Sequence, residues 1–135
     1  MESAEQDLER AFLKLPTLNY VGMALLQFAT SRFGEHEIVR TETGGFSIRY
    51  LGRGFVDFSF PEGPERIRMH VNVETHTLEQ PDKRWLPISD ECPYPVCEIK
   101  RHDQLAVAAR YIETAYWKCM GTRFTSSDDF DRTVN

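Results

Sequence analysis

The stretch Arg66-Ile67-Arg68-Met69-His70-Val71-Asn72-Val73-Glu74 decides the architecture. Apolar side chains at 67, 69, 71 and 73 alternate with polar ones at 66, 68, 70, 72 and 74. Successive side chains of a strand point to opposite faces, so this pattern is a strand with one face on a core and the other in water. Such strands belong to antiparallel sheets covered on one side only.

Working upstream, Phe46, Ile48 and Tyr50 alternate with Ser47 and Arg49 in the same way. Gly52-Arg53-Gly54 reads as the hairpin connection to a return strand over 55–60, with Val56, Phe58 and Phe60 on one face. Pro61 to Pro64 is a turn, and Glu37 to Thr41 is a further short strand closed by Gly44-Gly45. Before it the period changes to that of helices. Leu8, Phe12 and Leu15 make one stripe over 4–15, with Ser3 as cap and Pro16 as stop. Val21, Leu25, Phe28 and Ala29, widened by Leu26 and Phe33, make a second, capped by Thr17 or Asn19 and stopped at Gly34.

Downstream, 75–93 reads as a long polar loop with three prolines (81, 87 and 93), anchored where Trp85, Leu86 and Ile88 dip back. A last strand over 94–100 precedes a helix from about Asp103, with Leu105, Ala108, Ile112, Ala115 and Cys119 on one face and Gly121 closing it. The expected fold is α+β: a mostly antiparallel sheet of about five strands with helices packed on one face, in the order ααβββββα. Residues 1–125 form one domain and 126–135 a flexible polar tail.

The 135 residues carry 16 Lys and Arg against 21 Asp and Glu, a net charge of −5, and the pI is near 5.4. At this length the chain can bury one genuine core. The negative balance disfavours non-specific nucleic-acid binding, which relies on Lys and Arg neutralising phosphates. No apolar run approaches the ~18 residues of a transmembrane helix, and the acidic start MESAEQDLER is no secretory leader. Cys92, Cys97 and Cys119 are an odd set without a second pair at zinc spacing. They read as reduced thiols in a cytoplasmic protein that needs no metal or cofactor.

Gly54-Phe55-Val56-Asp57-Phe58 follows a basic turn; Arg68-Met69-His70-Val71-Asn72-Val73 leads to a variable loop with tryptophan; Val96-Cys97-Glu98-Ile99 leads into a helix closing on Ala115-Tyr116. In these features the chain, over about residues 35–117, resembles a small uncharacterised α/β domain often fused C-terminally to restriction-nuclease-like and other defence proteins. The resemblance implies one sheet with packed helices, a defence setting and no catalytic residues to carry over. A free-standing form, without the fused nuclease, is the setting expected for this chain. In layer order alone it is also similar to frataxin-like domains.

Chemistry is expected first on the open sheet face. Arg49, Arg66, Arg68, His70 and Asn72 fall on it together, with Asp57 and Ser59 between the basic strands. The guanidinium fork suits planar anions; the plainer alternative is cross-strand pairing of Arg66 and Arg68 with Asp57 and Glu74. Trp85 in the long loop extends the candidate site. Tyr50, Phe55, Trp85, Tyr94, Tyr116 and Trp117 offer an aromatic platform if they are not core residues. A metal set of His70, Glu74 and His76, and a nucleophile pair of Cys97 and His102, are weaker constellations. The sequence therefore leads to a non-enzymatic module binding a protein partner or an anionic ligand, as a monomer or a homodimer, with no membrane attachment. The alternative is a small acidic inhibitor or immunity-type protein that blocks a basic enzyme through Glu2 to Glu9 and the tail.

Overall fold

In a computed structural model, which describes residues 3–32, 34–73, 78, 84–89 and 95–126 (121–126 in backbone only), Ser3 opens the first helix. Its hydroxyl accepts the Gln6 N–H while the Gln6 side chain accepts the Ser3 N–H, a reciprocal capping box, and α1 runs Ala4–Leu13. The second helix, α2 (Asn19–Ser31), has Leu18 at its N-cap position and no cap from its own side chains. Thr17 does not cap it, and the Asn19 amide donates back to the Leu15 carbonyl. Gly34, at φ +85°, turns the chain after α2 as expected.

Among the described residues six strands follow, where about five were expected: β1 (Glu37–Arg40), β2 (Phe46–Tyr50), β3 (Arg53–Ser59), β4 (Ile67–Val71), β5 (Ile88–Ser89) and β6 (Val96–Ile99). They form one antiparallel sheet in the order β1-β2-β3-β4-β6-β5. The extra strand is the short β5, inside the stretch that reads as loop; Pro87 immediately before it lacks the N–H to extend the ladder. The third helix, α3 (Leu105–Ser126), continues through Gly121 instead of closing there, so Ser126 belongs to the helix. Residues 127–135, the rest of the expected tail, lie outside the described residues.

One face of the sheet carries the core. Leu8 and Phe12 of α1, Val21 and Leu25 of α2, and Ala108, Ile112 and Ala115 of α3 pack with Ile48, Phe58, Met69 and Ile99. The decisive strand is shorter than its pattern. Asn72 leaves the ladder, its N–H donating to the Phe55 carbonyl, and the Val73 N–H folds back onto the Val71 carbonyl. Val73 remains buried although it is outside the strand.

Two details of β2 and β3 shape the open face. The connection is a two-residue turn at Leu51 (φ +52°) and Gly52 (φ +83°), with Tyr50 opposite Arg53. Positive φ at both central residues is the hairpin turn whose twist matches the strands. Further along, Ile48 pairs with Val56 but Arg49 pairs with Gly54. Phe55 is the extra residue of this bulge, and it joins Val56 inside the protein, edge-on to Tyr116.

Candidate functional site

All three helices contribute to the core face, and the opposite face presents the polar positions of the strands. Its rows follow from the register. Ser47, Asp57, His70, Val96 and Ser89 stand side by side across β2, β3, β4, β6 and β5. In the adjoining row Ser59, Arg68 and Glu98 are neighbours, and beyond the bulge Arg49 sits between Glu37 and Gly54.

The expected basic cluster divides here. Arg68 directs Nε and Nη2 to Oε2 of Glu98 at 3.2 and 2.7 Å, and Arg66 Nε stands 3.2 Å from Glu98 Oε1. Arg66 also donates from Nη1 to the Glu62 and Pro64 carbonyls, which locks it into the β3–β4 turn. Hydrogen bonds from Arg68 hold the Glu98 carboxyl below the usual carboxylate range, against the upward push of burial and with the aid of Arg66. The counterion of both arginines is therefore Glu98, not Asp57; Glu74 lies outside the described residues.

Arg49, Asp57 and His70 are different. Each is half-buried, and beyond the backbone ladder no side chain of the three has a hydrogen bond or an ion pair within 4.0 Å among the described residues. They line a hollow of about 260 Å³ with Ser47, Gly54 and Asn72. Asn72 braces its wall: the side-chain amide donates to the Gly54 carbonyl at 2.6 Å, tying the end of β4 to the bulge. A Cβ on Gly54 would stand 2.9 Å from Ser47 Oγ, so glycine leaves room for that hydroxyl, while Arg49 Cγ at 3.9 Å would be in ordinary contact. Asp57 and His70 also line a second hollow of about 590 Å³ toward Thr41 and Pro61.

At the far end of the face, Arg68 borders a third hollow of about 390 Å³, shared with Ser89, Glu98, Lys100 and Arg101. The nearby 84–86 segment is held by buried groups that the sequence reading did not single out. Gln104 Nε2 donates to the Trp85 carbonyl while its Oε1 accepts the N–H groups of Lys100 and Arg101. Tyr111 donates its hydroxyl to the Leu86 carbonyl. Leu86 is fully buried as an anchor, and Trp85 is left 49% exposed. No spacing signal marks Gln104; a buried polar side chain in a helical first turn is recognisable only once its partners are known.

The remaining constellations come apart. Cys97 faces the core, and burial, with Glu98 adjacent, pushes its thiol up to about 12, while His102 Nε2 donates to the Thr17 carbonyl. His76 and Glu74 lie outside the described residues, among which no three His, Cys, Asp or Glu side chains gather as metal ligands. Tyr50, Phe55 and Trp117 meet edge-on around Tyr116, a packed cluster in which Trp117 is the exposed member. Tyr94 lies outside the described residues. No described helix is long and apolar enough to cross a membrane. No family model, curated protein or solved structure matches the chain.

Proposed function

We propose that this protein is a non-enzymatic binding module whose polar sheet face receives the anionic group of a small ligand or of a protein partner. The observation that carries the proposal is Arg49, a half-buried guanidinium over an open hollow with no counterion among the described residues. An arginine in that position presents donors ready for a carboxylate or phosphate. His70 and Asn72 flank it, Arg66 and Arg68 shape the face through Glu98, and Trp85 adds an apolar contact at the β5 end. The proposal keeps the protein in the cytoplasm, consistent with the free, buried thiols of Cys97 and Cys119. A defence setting rests on the family resemblance alone.

The acidic-inhibitor alternative has less support. Asp7 is committed to Arg10 and Arg40, and Glu5 to His36, so these carboxylates of the N-terminal segment are engaged within the fold.

The test is a titration of a nucleotide and of a hexaglutamate peptide, followed by backbone amide shifts. Perturbation of 47–57 and 68–72, lost in Arg49→Glu at unchanged melting temperature, supports the proposal. Binding of equal strength in Arg49→Glu rejects it.

A further inference from the structure

Arg49 and Asp57 have opposite charges, line the same 260 Å³ hollow and do not pair with each other. Their positions explain this. Asp57 stands opposite Ser47, and Arg49 lies one same-face step further along β2, opposite Gly54. Diagonal neighbours of this kind are ~7–8 Å apart, which leaves space between the charged ends. Glu37 is the register neighbour of Arg49 on the other side, also without an ion pair to it, and His70 stands next to Asp57 without a hydrogen bond.

Ser47 supplies an independent observation. Its residue is only 6% exposed, it lines the same hollow, and its hydroxyl has no hydrogen-bond partner among the described residues. Buried hydroxyls are almost always partnered, so an unsatisfied one on a ligand-sized hollow calls for a partner from outside.

We infer that this hollow takes a zwitterion, with a carboxylate on the Arg49 guanidinium, an ammonium group on the Asp57 carboxylate, and a polar atom near Ser47 Oγ. The inference rests on the binding proposal above and narrows its ligand. A ligand bearing only negative charge would satisfy Arg49 and be repelled by Asp57; a zwitterion satisfies both. The volume is slightly under the ~300–1,000 Å³ typical of drug-sized sites. That size suits a free amino acid or an acidic and a basic side chain presented close together on a peptide.

Calorimetric titration separates these sources and tests the class. The probes are L-glutamine, an N-acetylated and C-amidated Asp-Gly-Lys tripeptide with charge only in its side chains, and inorganic phosphate. Binding of either zwitterionic probe, weakened about tenfold or more by Arg49→Gln and equally by Asp57→Asn, is the expected result. Which probe binds names the source. Phosphate binding that Arg49→Gln removes and Asp57→Asn strengthens overturns the zwitterion while leaving the anion-binding proposal standing. No binding of L-glutamine or the tripeptide to the wild-type protein overturns the inference, and the nucleotide and hexaglutamate titrations then judge the proposal separately. Melting temperatures of both variants, expected to match wild type, exclude unfolding as the cause of any loss.

Discussion

Glu65 caps a helix that begins far from it in sequence: its Oε2 accepts the Leu18 N–H at 2.8 Å and the Thr17 N–H at 2.9 Å. Oε1 takes the Thr17 hydroxyl at 2.6 Å, so one carboxylate holds the N–H of the N-cap residue and of the residue before it, and pins the α1–α2 corner to the β3–β4 turn. Burial raises its pKa, but the bonds from Thr17 and Leu18, with His102 nearby, outweigh that and leave it below the ordinary value. A negative charge at a helix N-terminus is also favoured by the helix dipole.

Glu65→Ala is expected to cost about 1 kcal/mol, the usual loss of a helix cap, and Glu65→Gln somewhat less. Because the folded pKa is depressed, the contribution is complete above the unfolded value of about 4.5 and is lost as pH falls through the folded one. Urea denaturation between pH 7 and pH 3 measures this. The wild type and Glu65→Gln curves should converge at the acid end; a constant gap would refute the charge's role.

Glu98→Gln should destabilise by about 1–2 kcal/mol at pH 7, since it removes the shared counterion of Arg66 and Arg68. The depressed Glu98 carboxyl gives the same sign of pH dependence: stabilising at neutral pH, lost on acidification. Replacing Arg68 in the Glu98→Gln background should cost less than replacing it alone, and a double-mutant cycle reads that coupling.

Gly22 lets α1 and α2 approach. A Cβ on it would lie 2.6 Å from Phe12 Cγ, and the Phe12 ring is itself held edge-on by Phe58 and Phe60 at 5.3 Å each. Gly22→Ala is therefore expected to lose about 1–3 kcal/mol by overpacking, despite alanine's better helix propensity. Phe12→Leu should recover part of the loss in thermal melts.

Leu51 occupies a left-handed turn position that suits asparagine, and its side chain is 49% exposed. Leu51→Asn creates the Asn-Gly pair preferred for this turn and should raise stability by about 0.5–1 kcal/mol. A lower melting temperature would show that the exposed leucine makes contacts worth more than the relief of strain.

Cys97 should resist alkylation in the folded protein at pH 8, because its pKa of about 12 leaves almost no thiolate. Mass spectrometry of iodoacetamide-treated protein should find Cys97 modified only after denaturant is added. Labelling within minutes in native buffer would contradict its burial.

Local patterns were legible where a single element decides them. Alternation over 67–71 reflects one buried and one half-exposed face, and Ser3 with Gln6 closes a cap within one turn; such signals lie in neighbouring residues, although Ser47, at a polar position of 46–50, is buried all the same. Long-range pairings were not. Nothing near Glu98 in sequence announces Arg66 and Arg68, because β4 and β6 meet only in the sheet. Strict alternation sets Phe55 on the face opposite Val56 and has no place for a bulge, which arises from the mismatch between two strands and brings both residues inside.

The sequence by itself determined an α+β chain with a one-sided antiparallel sheet, since periodicity of apolar residues is a property of the chain. Tertiary structure alone decided which charges remain available. Arg49, Arg66 and Arg68 are chemically alike, but Glu98 takes two of them and leaves the third over an open hollow with Asp57 and Ser47. Electrostatic availability depends on distances of a few ångströms between distant residues, and those distances exist only after the strands have paired.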